Sequence, residues 1–216
     1  MAGEEKLRAE IVQFCRLLHQ RNWLAANDGN VSARLGGGRI LITPSGRHKG
    51  LLEPEEMVVV DESGKLVAGD ARPSGEIAMH LTALRLRSDA NVVLHAHPPT
   101  CIALSLLRHI RLNGILPEVI LSIGELVVVP YARPVSEDLG DALVGYIGRH
   151  DAVILERHGT VALGRSVAEA YARTERLEHA AHVLWLAHTL GHPRPLPDAE
   201  WRALRNLHEQ GRDSTD

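Results

Sequence analysis

Asn91-Val92-Val93-Leu94-His95-Ala96-His97 is the stretch on which the fold turns. Its aliphatic run reads as a buried strand, and the strand ends in two histidines. Side chains of a strand alternate between faces, so His95 and His97 point the same way and can share a metal ion. Taken alone, H-x-H fits two histidines at an exposed strand end equally well. Downstream, a helix follows Pro98-Pro99, Leu126 to Pro130 reads as a strand, and Ser136-Glu137-Asp138 opens a helix. Ala152 to Leu155 forms a further strand that ends in Arg157-His158-Gly159, and Thr160 to Leu163 continues extended to Gly164. Ser166 to Leu190 reads as one long alanine-rich helix stopped by Gly191. Pro193, Pro195 and Pro197 then hold the chain extended before a short last helix.

Upstream, a helix begins at Gly75-Glu76 and runs to about Arg87. Before it lie a strand from Met57 to Val60 and a turn at residues 61–64. Val31 to Leu35 and Arg39 to Thr43 form a hairpin around the glycines at 36–38. An amphipathic helix over residues 4–20 precedes the turn Asn27-Asp28-Gly29-Asn30. This alternation, without repeat or linker, predicts one α/β domain over residues 1–216, a mixed sheet between helices. Residues 193–216 are then a proline-rich extended tail and a terminal helix.

Composition narrows the function classes. Of 216 residues, 44% are hydrophobic but only 3% aromatic, so the core must be aliphatic. A formal charge of -3 and no long basic stretch argue against a nucleic-acid partner. No apolar run approaches the roughly 20 residues of a membrane helix. The stretch MAGEEKLRAE has no apolar core of a secretory signal. Cys15 and Cys101 form no C-x-x-C pair, as expected for reduced cysteines in the cytoplasm.

Thirteen histidines are many for this length, and spacing must choose among them. His158 also closes an aliphatic strand, and Gly159 lets the backbone turn tightly after it. Two strand ends meeting at one sheet edge can supply three imidazoles. Three nitrogen ligands with one open position is the pattern of catalytic rather than structural zinc. His179 and His182, three apart on the long helix among Glu175, Arg176 and Glu178, read as a solvated face. His48, His109, His150, His188, His192 and His208 read as surface, and His80, four residues after Glu76, as a packing residue supporting it. Glu76 could be an ordinary first-turn glutamate stabilised by the helix dipole. Ser74 and Gly75 beside it offer a hydroxyl and amides for an anion. Gly29-Asn30-Val31-Ser32 and Thr43-Pro44-Ser45-Gly46 make the same offer, and three such turns suggest a phosphate pocket.

These turns, with His95-Ala96-His97 and Arg157-His158-Gly159 in this order, resemble the class II aldolase/adducin family, most closely its L-fuculose-1-phosphate aldolase branch. The likeness covers roughly residues 5–195. It implies a three-layer αβα sandwich with a central mixed, mainly antiparallel sheet, assembled as a homotetramer with sites at subunit interfaces. It implies Zn2+ or another divalent transition metal on His95, His97 and His158, with Glu76 as acid/base able to approach the metal. It places a substrate phosphate on Asn30, Ser45, Gly46, Ser74 and Gly75. The activity implied is retro-aldol cleavage of a ketose 1-phosphate to dihydroxyacetone phosphate and an aldehyde, through an enediolate stabilised by the metal.

The chain departs from that pattern twice. Gly75 stands where the family's aldolases commonly have a second serine. Their aldehyde-side tyrosines have no counterpart in Leu116-Pro117-Glu118 or in residues 193–216. The alternatives are a decarboxylase of a 3-oxo sugar-acid phosphate, which needs no such tyrosine, and a pentulose-phosphate 4-epimerase, which usually carries Asp at the Glu76 position. A non-catalytic adducin-like scaffold would lack the complete set of three histidines and glutamate. A Schiff-base route is set aside, because Lys6, Lys49 and Lys65 occupy no core strand.

Overall fold

The computed structural model describes residues 2–107 and 113–213. Its sheet is built from short aliphatic segments: β1 (Asn30–Gly36), β2 (Arg39–Ile42), β3 (Val58–Asp61), β4 (Leu66–Ala68), β5 (Val92–Ala96), β6 (Val128–Val129), β7 (Ala152–Leu155) and β8 (Gly159–Gly164). Their spatial order is β4-β3-β2-β1-β5-β8-β7-β6. Each neighbouring pair is antiparallel except β6 with β7, which is parallel. The mixed, mainly antiparallel sheet expected from the resemblance is therefore present.

Seven α-helices are found among the described residues: α1 (Ala2–Gln20), α2 (Ile77–Leu86), α3 (Pro99–Ser105), α4 (Pro117–Ile123), α5 (Glu137–Ile147), α6 (Val167–Leu190) and α7 (Asp198–Asp213). Strand alternation divides them into two layers. Val31, Ala33, Leu41, Val59, Val92 and Leu94 pack with Ile11, Cys15 and Leu18 of α1 and with Val167 and Ala170 of α6. Ile40, Ile42, Val58, Val60, Val93, Val161 and Leu163 face Met79 and Ala83 of α2 and Leu139 and Leu143 of α5. Cys101 and Leu104 of α3 and Ile123 of α4 join Leu177 and Leu184 of α6 in a third cluster over Ile154 and Ala162. His95 follows the parity of Val93, so its ring enters the α2 side of the sheet. That placement decides the site.

Several boundaries depart from the sequence reading. β4 is an exposed edge strand with no apolar face buried, so it carries no alternation to read. α4 begins at Pro117, where the fixed φ of proline suits a first helical turn. The strand expected over 126–130 pairs only at Val128 and Val129. The last helix is not short but spans 16 residues. His48, His150, His188 and His208 are half-buried rather than surface side chains, whereas His192 is exposed and His109 lies outside the described residues. His48 packs edge-on against the ring of His19, and His208 donates from Nδ1 to the Leu121 carbonyl, which accounts for their burial.

Candidate active site

Three elements deliver the histidines. β5 ends at Ala96, with His95 inside it and His97 just beyond; the His97 N–H donates to Trp23 O at 2.8 Å and fixes the strand end. His158 sits in the tight turn from β7 to β8. Antiparallel pairing of Ala96 with Thr160 brings that turn beside the end of β5. The three rings stand 4.7–5.1 Å apart by centroid, edge to face, and their ligand nitrogens lie within 4.8 Å of one another.

Gly159 serves this arrangement differently from its expected role. The positive φ of the turn belongs to Arg157, at 61°. A side chain at 159 would place its Cβ 2.3 Å from Ala96 O and 2.8 Å from His97 Cδ2. Glycine is needed here for close approach of two strands, not for turning.

Glu76 is the residue immediately before α2 and makes no side-chain cap to that helix. Its carboxylate turns to the histidines instead, with Oε2 3.3 Å from His95 Nε2 and Oε1 3.2 Å from His158 Nε2. Glu76 is thus engaged by the histidines rather than by the amides of its own helix. Asn30, the register partner of His95 on β1, donates from Nδ2 to Glu76 Oε2 at 2.8 Å. The Asn30 carbonyl oxygen accepts from His80 Nε2, and His80 Nδ1 accepts from Ser32 Oγ at 2.7 Å. Asn30 and Ser32 share one face of β1, and His80 lies one helical turn beyond Glu76, so both periodicities converge on this chain.

Electrostatics favour neutral rings and an ionised acid. Burial depresses His95 to about 4, with Glu76 opposing, and depresses His97 to about 3. Both rings are uncharged at neutral pH. The backbone carbonyl of Thr160 takes the proton of His95 Nδ1 at 2.8 Å, leaving Nε2 bare toward His97 Nε2, 2.9 Å away. An imidazole oriented in this way presents a lone pair to a metal. Burial pushes Glu76 up, but the hydrogen bond from His158, the field of His95 and the Asn30 amide outweigh it and hold the carboxyl well below its usual range. Three nitrogens and one carboxylate, with no thiolate, form a donor set that fits a divalent transition metal.

The three glycine-bearing turns lie side by side. Pro44 and Pro73 form a bridge, and Ser45 N donates to Arg72 O at 2.9 Å. Ser45, Gly46 and Gly75 are exposed, while Asn30 and Ser74 are buried; Ser74 Oγ accepts from Glu76 N at 3.3 Å. Asn30 thus reaches toward the acid as much as toward the turns. At Gly75 a Cβ would stand 2.7 Å from Val135 Cγ1, so this chain fills with Val135 the space a second serine would need. Of the three tyrosines, Tyr131 is exposed, Tyr146 is half-buried, and Tyr171 packs on Phe14 and Trp23.

His179 and His182 are exposed, as expected of a solvated face, and line a surface cavity of about 390 Å³ with Arg21 and Trp23. Glu178 is not solvated. Its carboxylate accepts from Thr100 N and Cys101 N at the start of α3.

A mixed sheet between helical layers, with three imidazoles and a carboxylate converging at strand ends, is the architecture of a metal-dependent class II aldolase-type protein. The chain belongs to the class II aldolase and adducin N-terminal domain family, whose model matches residues 9–185. It is 34% identical to an L-fuculose phosphate aldolase of Methanococcus maripaludis, over 84% of this chain and 97% of that protein. It is 32% identical to a 3-oxo-tetronate 4-phosphate decarboxylase of Pectobacterium atrosepticum, over 86% and 87%. A methylthioribulose-1-phosphate dehydratase of Methylococcus capsulatus is 38% identical over 81% and 91%. Among solved structures, YgbL of Klebsiella pneumoniae superposes with a TM-score of 0.87 at 32% identity, covering 94% of this chain and 99% of that one. The sequence reading did not anticipate the dehydratase. Its signal would lie in the substrate contacts rather than in the metal-site pattern.

Proposed function

We propose that this chain is a zinc-dependent lyase that cleaves a ketose 1-phosphate by a retro-aldol reaction, with Glu76 as the acid/base. The observation that carries the reading is the position of Glu76: buried, ionised, facing His95 and His158, and adjoining the three turns. His95, His97 and His158 would hold the ion. A bound divalent ion supplies Lewis-acid stabilisation of negative charge on a substrate oxygen. The protein's own groups do the rest. Glu76 moves a proton at the carbon beside the carbonyl, and Asn30 fixes its Oε2 so that the carboxylate keeps one orientation. Asn30, Ser45, Gly46, Ser74 and Gly75 would seat the phosphate and fix the distance from it to the reacting carbon. Burial of His95, His158 and Glu76 keeps water from that side of the site, which strengthens each of these interactions.

A second reading, decarboxylation or dehydration of a related sugar phosphate, is supported by the same proton chemistry, by the missing aldehyde-side tyrosines and by the named relatives. The two separate on product. Purified protein with Zn2+ is given a panel of ketose 1-phosphates, a 3-oxo sugar-acid phosphate and a methylthio-pentulose phosphate. Dihydroxyacetone phosphate released from the first group supports the aldolase. Carbon dioxide or water lost from the others, with no cleavage of the first, sinks it. A purified chain that binds no divalent metal and is indifferent to chelator would return the reading to a scaffold.

A further inference from the structure

Lys49 follows the Thr43-Pro44-Ser45-Gly46 turn, a place where a lysine is ordinarily solvated. It is 2% exposed, among the largest fully buried side chains of the protein. Its Nζ donates to Asn27 O at 3.0 Å, to Arg47 O at 2.9 Å and to Pro44 O at 3.4 Å, while its own N–H donates to Ala26 O at 3.3 Å. Three carbonyl acceptors need three N–H donors, which an ammonium has and a neutral amine lacks. Among the described residues no carboxylate pairs with it.

Burial lowers its proton affinity, and Cys15 first, then Asp28 and Glu76, act to restore it. A buried cation held only by carbonyls is costly to keep, so its retention calls for a reason. The carbonyls belong to the turns that carry the candidate phosphate residues: Asn27 leads into Asn30, while Pro44 and Arg47 flank Ser45 and Gly46. The third turn is tied to the same hub by Ser45 N to Arg72 O and the Pro44–Pro73 bridge.

We propose that Lys49 is a positioning residue of the phosphate pocket, clamping the 26–30 and 43–47 turns together and setting a positive charge beneath them that favours a dianionic group. The proposal rests on the phosphate reading of these turns. It differs from a contact role: the ammonium has no donor left for substrate and acts through the loops and through its field, which low polarity makes long-ranged.

The probe is inorganic phosphate, titrated at constant ionic strength against zinc-loaded wild type, Lys49→Met and Lys49→Gln, and read by thermal shift and calorimetry. Wild type should saturate with phosphate. Lys49→Met should stay folded, keep its metal stoichiometry and lose at least tenfold in phosphate affinity, a change of about 1.4 kcal/mol. Lys49→Gln, which keeps donors but no charge, should lose a comparable amount. Glutamine with wild-type affinity overturns the charge role, and methionine with wild-type affinity overturns the whole proposal. If Lys49→Met does not fold, the glutamine variant decides the charge role alone. Wild type that binds no phosphate overturns the pocket reading itself, an outcome distinct from loss in the variants only.

Discussion

Both oxygens of Glu76 are spoken for, one by Asn30 and one by His158, so the carboxylate cannot swing away from the rings. Glu76→Gln keeps the shape and removes the base. Turnover should fall roughly 10²–10⁴-fold with folding retained, and a variant within threefold of wild type would rule out the proton role. His80 acts a step further back, because its Nε2–H decides which end of the Asn30 amide faces Glu76. His80→Leu leaves a buried acceptor unpaired and should destabilise by about 1–3 kcal/mol. It should also lower kcat, with His80→Gln recovering most of both in parallel urea and rate measurements. Stability should depend on acid as well. The folded pKa of His95 and His80 is about 4 and that of His97 about 3, against 6.5 unfolded, so below pH 6.5 the unfolded chain takes up protons that the folded chain refuses. Stability of the chelator-treated protein is therefore full above pH 6.5 and falls as pH drops toward 4, by on the order of 3 kcal/mol for His95 alone. A thermal midpoint flat from pH 7 to 4 after chelation would contradict it. Strand parity and the order of motifs made the three histidines and Glu76 legible. Lys49 was illegible because a lysine after a turn looks the same whether its stem runs outward or under the loop.

At the scale of elements, the site depends on how closely β5 and β8 approach. Gly159 is the point of contact, and Gly159→Ala would drive a methyl into the Ala96 carbonyl and the His97 ring. Backbone rather than a flexible side chain stands in the way, so the strands must part. The expected loss is above about 3 kcal/mol in denaturant unfolding, with metal content well below one ion per chain. An alanine variant of wild-type stability and full metal content would show that the approach is dispensable. The apolar strands β1, β2, β3, β5, β7 and β8 are legible because each is a short aliphatic stretch buried over most of its length, β5, β7 and β8 at every position. β4 buries none. α4 is only 7 residues long, about two turns opened by a proline, too short for helical periodicity to declare itself. α7 looks short in the sequence because its pattern follows three prolines and buries little beyond Leu204.

For the whole molecule, the apolar side chains left exposed at the end of α6, Trp185, Leu186 and Leu190, and after α3, Leu106 and Leu107, are the surfaces an assembly would cover. Native mass spectrometry should give four chains at micromolar concentration. A monomer there would remove the homotetramer, with sites between subunits, that the family resemblance implies. The family match ends at residue 185, and the contacts of the last part of the chain tie it to the domain. Leu196 N donates to Gly114 O at 2.7 Å, Arg205 pairs with Glu125 at 3.2 Å, and His208 reaches the Leu121 carbonyl on α4. These contacts seat α7 on α4, distant in sequence from the metal-site strands, which is why we propose one domain over the full chain. A chain ending at His192 would expose Leu204's binding surface and α4's outer face together. Its melting midpoint should fall by roughly 5–10 °C, while metal stoichiometry stays at the full-length value. A truncated chain that melts as the full one does would make residues 193–216 an independent tail. One that loses its metal would mean that α7 supports the histidines as well as α4.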